Sequence, residues 1–282
     1  MKPGVGAQSP YGGYGVALIR TLAAEGRPTF TVAEARAASR TVGVADSYLS
    51  VLLHRLQQAG WVSRLKHGTY ALSTGLFGVP EAHPFSLGMA LIDPCAISGW
   101  AALNHHGLTE QIPRVITLTT PKRVVTPAMR GVVHTAASTW EVAGQQFQIV
   151  TVVPAHFYGV EEIWVGEVQV RMFDRERALL DCFALPRRFG GLSEGRGILE
   201  EHLHELDLGR LIAHARRYPK VVVSRRVGYA LEEAGVAPRR VEGLRSLPMT
   251  GYRPLDPTRP ARGERNRRWG LIENSSTPTK PP

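Results

Sequence analysis

Ser47, Tyr48, Ser50, His54 and Arg55 gather two short hydroxyls, a phenol, an imidazole and a guanidinium in one short segment. Groups of this kind donate and accept hydrogen bonds at base edges and phosphate oxygens in a DNA groove. Between them, Leu49, Leu52, Leu53 and Leu56 recur at i, i+3, i+4 and i+7, the spacing of one buried helical stripe. The polar set therefore falls on the opposite face. A purely solvated face would more often carry Glu and Lys pairs. Nearby cations extend the set: Arg40 before the helix, then Arg64, Lys66 and His67 after it. Arg40, Arg64 and Lys66 are expected at phosphates, and Ser47, Tyr48, Ser50 and His54 at base edges.

Other chemistry-bearing residues lack the spacing that catalysis or metal binding requires. His105 and His106 are adjacent, and His202 and His204 are two apart, so neither pair stacks on one helical face. The loop Gly190-Gly191-Leu192-Ser193-Glu194-Gly195 has no Walker lysine and follows no strand of a dinucleotide fingerprint. It reads as a loop opening a helix, with Ser193 as its cap. Gly191-Leu192-Ser193-Glu194-Gly195 has the Gly-x-Ser-x-Gly spacing but follows no strand, so it is not read as a nucleophile elbow, and a Cys/His nucleophile signature is absent from the sequence. No catalytic residue, metal site or cofactor is expected. Asp93, Glu161, Glu162, Asp174 and Asp181 keep one enzymatic alternative open, a metal-dependent nuclease.

The elements that position the polar face follow from local pattern. Leu18, Ile19, Leu22 and Ala23 predict a first helix that Gly26 and Pro28 stop. Thr31 and Glu34 form a capping-box pair ahead of a short alanine-rich helix. Thr41-Val42-Gly43-Val44 reads as a turn, and the helix bearing the polar face runs from about Asp46 to Ala59. Trp61 to Leu65 and Tyr70 to Leu72 predict two strands around the basic tip Lys66-His67-Gly68-Thr69. Three helices with a hairpin behind them predict a winged helix-turn-helix.

The chain has 282 residues, a length that predicts two domains. The expected fold class is α+β: a winged helix-turn-helix over 14–76, a linker over 77–84, and a mixed α/β domain over 85–274 that ends in helices. Residues 1–13 and 275–282 read as tails. In the second domain, strands are expected over 114–119, 131–135, 147–153 and 167–173, and helices over 98–106 and 175–184. The net charge is +10, from 34 Lys and Arg against 24 Asp and Glu, which favours a polyanionic partner. One basic run, Arg210, Arg216, Arg217, Lys220, Arg225 and Arg226, could face an acidic partner, RNA or solvent. A second, Arg262, Arg265, Arg267 and Arg268, divides between a solvated run and a nucleic-acid contact. Two cysteines, Cys95 and Cys182, outside any metal spacing, fit buried free thiols in a reducing compartment. With neither a secretory h-region nor an apolar span of about twenty residues, a cytoplasmic location and no membrane contact are expected.

The ordered blocks of the chain resemble the AbiEi family of bacterial antitoxins. In the first domain the resemblance rests on Tyr48-Leu49-Ser50 through Leu56 to Gly60-Trp61-Val62, and on Gly68-Thr69-Tyr70-Ala71-Leu72. In the second it rests on Ile97-Ser98-Gly99-Trp100-Ala101-Ala102-Leu103, His106-Gly107-Leu108-Thr109-Glu110-Gln111-Ile112-Pro113, Phe173-Asp174-Arg175-Glu176-Arg177-Ala178-Leu179-Leu180-Asp181 and Gly190-Gly191-Leu192. Weaker blocks are Pro254-Leu255-Asp256-Pro257 and Arg268-Trp269-Gly270-Leu271-Ile272-Glu273-Asn274, so the resemblance spans about 14 to 274. Each block also has a folding role: Asp174 as a helix cap, Trp100 and Leu103 packing inward, Gly107 as a left-handed helix end.

The resemblance implies the antitoxin of a type IV toxin-antitoxin system, which represses its own operon through promoter DNA, as a dimer or otherwise. It implies a nucleotidyltransferase toxin from the same operon as partner, opposed directly or indirectly. The alternative is a DNA-binding transcriptional regulator without a toxin, whose C-terminal domain senses a ligand or dimerises.

Overall fold

The computed structural model describes residues 13–24, 28–73, 82–126 and 139–274. The expected strand at 131–135, both tails beyond Gly13 and Asn274, and most of the 77–84 linker lie outside them. The chain divides into two compact units. One comprises 1–93 with 126–147 and 164–170; the other comprises 94–125, 148–163 and 171–282.

The first unit opens with α1 (Gly13–Ala24), β1 (Thr29–Thr31), α2 (Val32–Thr41), α3 (Asp46–Gln58), β2 (Val62–Lys66) and β3 (Thr69–Leu72). The leucine stripe of α3 packs with Leu18, Ile19, Leu22, Phe30, Ala35 and Trp61 in one buried cluster. Strands β1, β3 and β2 form an antiparallel sheet in that order. Phe30 lies opposite Tyr70, with the two rings stacked at 5.6 Å. Helix α4 (Pro84–Leu91) follows, its proline in the first turn, where a missing amide hydrogen costs nothing. Pro84 is therefore helical, although the sequence places it in the linker.

The second unit is built on most of a six-stranded sheet of order β6-β7-β5-β4-β9-β8. Its strands are β4 (Ala96–Ser98), β5 (Val115–Thr120), β6 (Thr139–Val142), β7 (Gln145–Thr151), β8 (Val160–Val165) and β9 (Val168–Phe173), and α5 (Gly99–His105) follows β4. Beyond the sheet come α6 (Arg175–Ala184), α7 (Leu192–His202), α8 (Leu208–Arg217), α9 (Val221–Glu233) and α10 (Pro238–Arg245). The sequence suggests that the domain over 85–274 ends in helices, but among the described residues its last elements are strands. A three-stranded sheet of order β10-β12-β11 follows, formed by Arg253–Pro254, Glu264–Asn266 and Leu271–Glu273. These strands are too short to show a period in the sequence and pair only with each other.

Helix α6 is buried from Glu176 to Phe183 and packs against α5, α7, α8 and α9. Asp174 caps it, accepting from the Arg177 amide at 2.7 Å and contacting His214 Nε2 at 2.8 Å. Gly107 adopts the expected left-handed conformation, φ 72, at the end of α5. Ser193 does not cap α7, because it lies inside the helix. The acceptor at that helix start is Asp256, whose Oδ2 takes the Leu192 amide at 3.0 Å from sixty-four residues away.

Part of each basic run is taken up by the fold, while Arg216, Arg217, Lys220, Arg262, Arg265 and Arg267 are exposed. Arg225 donates to the Leu247 carbonyl at 2.6 Å, and Arg226 donates to the carbonyls of Phe183 and Pro254, each at 3.2 Å. Burial pushes the Arg226 guanidinium down to about 10, so it stays cationic at neutral pH. Arg210 pairs with Glu161 at 2.9 Å, and Arg268 pairs with both Glu232 and Glu242. Cys95 and Cys182 are buried free thiols. No helix of the described residues is long and apolar enough to cross a membrane.

Two consequences are measurable. A Cβ on Gly228 of α9 would stand 2.2 Å from the buried Trp269 ring. Gly228→Ala should therefore lower unfolding free energy by about 1 to 3 kcal/mol in urea titration. Helix propensity alone would predict a gain of about 1 kcal/mol. For Asp174, burial works against the charge, but the bonds from His214 and the Arg177 amide outweigh it and hold the carboxyl below its usual range. A depressed folded-state pKa gives stability that is complete above the unfolded value, about 3.9, and lost as pH falls through the folded one. Asp174→Asn should flatten the acid side of the stability profile and leave a smaller loss between about pH 5 and pH 2.

Candidate nucleic-acid interface

Helix α2 starts in a closed capping box. The Glu34 amide donates to Thr31 Oγ1 at 3.2 Å, and Glu34 Oε2 accepts from the Thr31 amide at 2.7 Å. At its other end Gly43 takes φ 74, a conformation that a side chain would strain. The Gly43 amide turns back to the Arg40 carbonyl and the Val44 amide to that of Ser39, closing the helix end. This turn sets the direction in which α3 leaves. Asp46 opens α3 and pairs with Arg40 at 3.2 Å and Arg36 at 3.8 Å, joining the end of one helix to the start of the next.

The outward face of α3 carries Ser47, Ser50, His54 and Arg55, all exposed, as the leucine stripe requires. Tyr48 is different. It is half-buried against the core, and its hydroxyl accepts from Arg55 Nη1 at 2.9 Å. The Arg55 guanidinium also sits 5.8 Å from the Tyr48 ring centre. Tyr48 thus braces Arg55 rather than projecting with the serines. Val51, absent from the sequence-derived set, is 44% exposed on the same face. The helical period that buries the leucines would have shown it; selecting for polar chemistry passed over it.

Behind α3, Gly60 at φ 73 turns the chain into β2. The β2 to β3 register shifts between Arg64 and Lys66, with Leu65 buried at the irregularity. Arg64 and His67 are exposed, whereas Lys66 is half-buried and donates through Nζ to the Leu91 carbonyl at 3.1 Å. At the hairpin tip, the Gly68 carbonyl accepts from the Val32 amide at 3.0 Å, tying the turn to the start of α2. Helix α4, which supplies the Leu91 carbonyl, begins where His83 Nδ1 accepts from the Phe85 amide at 3.1 Å. This partner lies twenty-five residues from Lys66, beyond the reach of local sequence pattern.

Charge favours an anion here. Over residues 14–76, Arg20, Arg27, Arg36, Arg40, Arg55, Arg64 and Lys66 stand against Glu25, Glu34 and Asp46. In the second unit, two carboxylates of the nuclease alternative serve the fold: Asp174 caps α6 and Asp181 pairs with Arg177. Among the described residues, no group of three His, Cys, Asp or Glu side chains converges as a metal site.

The division between face and core has a direct test. Replacing Ser47, Ser50, His54 or Arg64 with Ala should change unfolding free energy by no more than about 0.5 kcal/mol. Leu53→Ala, at the buried stripe, should cost about 2 to 5 kcal/mol in the same titration.

Residues 18–73 match a family model described as "Transcriptional regulator, AbiEi antitoxin". No curated protein matches the chain in sequence. Among solved structures the chain is similar to "Crystal structure of RV2827C protein from Mycobacterium tuberculosis", with TM-score 0.63 and 15% identity over 92% of this chain and 90% of that one. At that identity the likeness concerns the fold. The segment that carries the candidate interface is therefore the segment that matches a transcriptional-regulator and antitoxin family.

Proposed function

We propose that the chain is a transcriptional regulator whose first unit is a winged helix-turn-helix that binds promoter DNA, and that it acts as the antitoxin of a type IV toxin-antitoxin system. The observation that carries this reading is the match of residues 18–73 to the AbiEi antitoxin family model, over the segment whose third helix presents Ser47, Ser50, His54 and Arg55 outward. In this reading α3 enters the major groove, α2 crosses the backbone, and β2 and β3 form the wing. Arg40, Arg64, Lys66 and His67 lie around α3 as candidate phosphate contacts, while Ser47, Ser50 and His54 address base edges. Tyr48 holds Arg55 in place by its hydroxyl and ring. The regulated promoter is that of the chain's own operon, and the toxin is a nucleotidyltransferase encoded beside it.

Binding is tested with a labelled duplex from upstream of the gene. Affinity should fall steeply with salt, and Arg64→Ala should weaken binding and reduce the logarithmic salt slope by about 1. An unchanged slope would remove Arg64 from the phosphate contacts, and no salt-sensitive binding would end the DNA reading. The antitoxin half is tested by co-expression with the adjacent gene. Restored growth supports it, and co-purification then distinguishes direct from indirect opposition; growth arrest despite co-expression overturns it.

A further inference from the structure

We propose that Val51 is a specificity-determining residue that packs on the C5-methyl group of a thymine in the operator. The proposal rests on the DNA-binding reading of α3 and adds a base identity to it. Among the described residues of the outward face, Val51 is the aliphatic one, 44% exposed among Ser47, Ser50, His54 and Arg55. It lies one turn beyond Ser47 and one turn before His54 and Arg55, so it sits within the polar set. Its exposed surface does not join the unit's buried cluster, and a β-branched residue gains nothing in helix propensity over alanine. The chain thus presents an apolar surface where the fold does not use it.

The surroundings favour one occupant. The local excess of cations attracts a polyanion, and the neighbouring hydroxyls and imidazole match base-edge donors and acceptors. In the major groove thymine alone among the four bases offers a methyl group. Valine in a helix is held almost entirely in one rotamer, so its two methyls present a fixed surface before contact. That shape accepts a methyl and gives no hydrogen bond to the polar atoms that cytosine or guanine would place there.

The test uses the full chain and duplexes of its own upstream DNA made with thymine or with uracil throughout. Uracil removes the methyl and keeps the pairing edge. Wild type should bind the thymine duplex about fourfold more tightly for each thymine contacted, the worth of one buried methyl. Val51→Ala should bring the thymine-to-uracil ratio close to one, by weakening binding of the thymine duplex more than that of the uracil duplex. Ser47→Ala should weaken both duplexes and preserve the ratio. Salt-sensitive binding by wild type with no thymine preference overturns the proposal and leaves the DNA reading standing. So does a Val51→Ala variant that retains the wild-type ratio, including one that changes only the oligomeric state. Failure of either duplex to bind overturns both.

Discussion

Helix α6 places Glu176, Arg177 and Asp181 where water does not reach, and the second unit is arranged around keeping them paired. An unpaired buried charge costs several kcal/mol, so each of these side chains dictates where a neighbour must be. Arg177 and Asp181 pair along one helical face, and the guanidinium lies against the rings of Phe173, Tyr158 and Tyr218 at 4.5, 5.0 and 5.7 Å. Glu176 accepts the Asp207 amide at 2.9 Å, fixing the start of α8, and α8 returns His214 to Asp174 at the head of α6. Strand β9, α6 and α8 are thereby linked through charge and hydrogen bonding as well as through apolar contact. Removing one partner would strand the other.

The first unit follows a different logic. Its core is apolar, the C-terminal ends of α2 and α3 are closed by backbone bonds, and its ionic contacts are exposed, where each contributes little to stability. Arg40, Arg55 and Lys66 nevertheless each have a partner that restricts them: Asp46, Tyr48 and the Leu91 carbonyl. Their role is to set direction rather than to hold the fold together. The two units thus differ in where charge is placed: the second buries an ion pair inside α6, whereas the ionic contacts of the first lie at its surface.

What the sequence revealed depended on how local the governing interaction was. The leucine stripe of α3, the Thr31 and Glu34 box, the Asp174 cap and the Gly107 helix end each involve residues within one or two turns, and all four are present. Distant partners were invisible. Asp256 displaced Ser193 as the acceptor at α7, and the carbonyls of Leu247, Phe183 and Pro254 drew Arg225 and Arg226 inward from an apparently solvated run. Short strands such as β1, β4 and those of the last sheet gave too few residues for alternation to register. In the candidate interface, the polar face was legible and its supports were not. Nothing near Lys66 in the sequence points to Leu91, and Tyr48 reads as a contact residue until its ring is seen packed inward.

The tether from Lys66 to the Leu91 carbonyl has a thermodynamic consequence. A free lysine on a hairpin samples many rotamers, and ordering it against an arriving anion costs close to 2 kcal/mol of side-chain entropy. Here one of the three ammonium hydrogens is already engaged at 3.1 Å, so much of that freedom is lost when the unit folds. The remaining two hydrogens keep a restricted set of directions. An anion approaching this edge therefore meets a cation whose ordering was completed during folding, and the entropy of capture is correspondingly smaller.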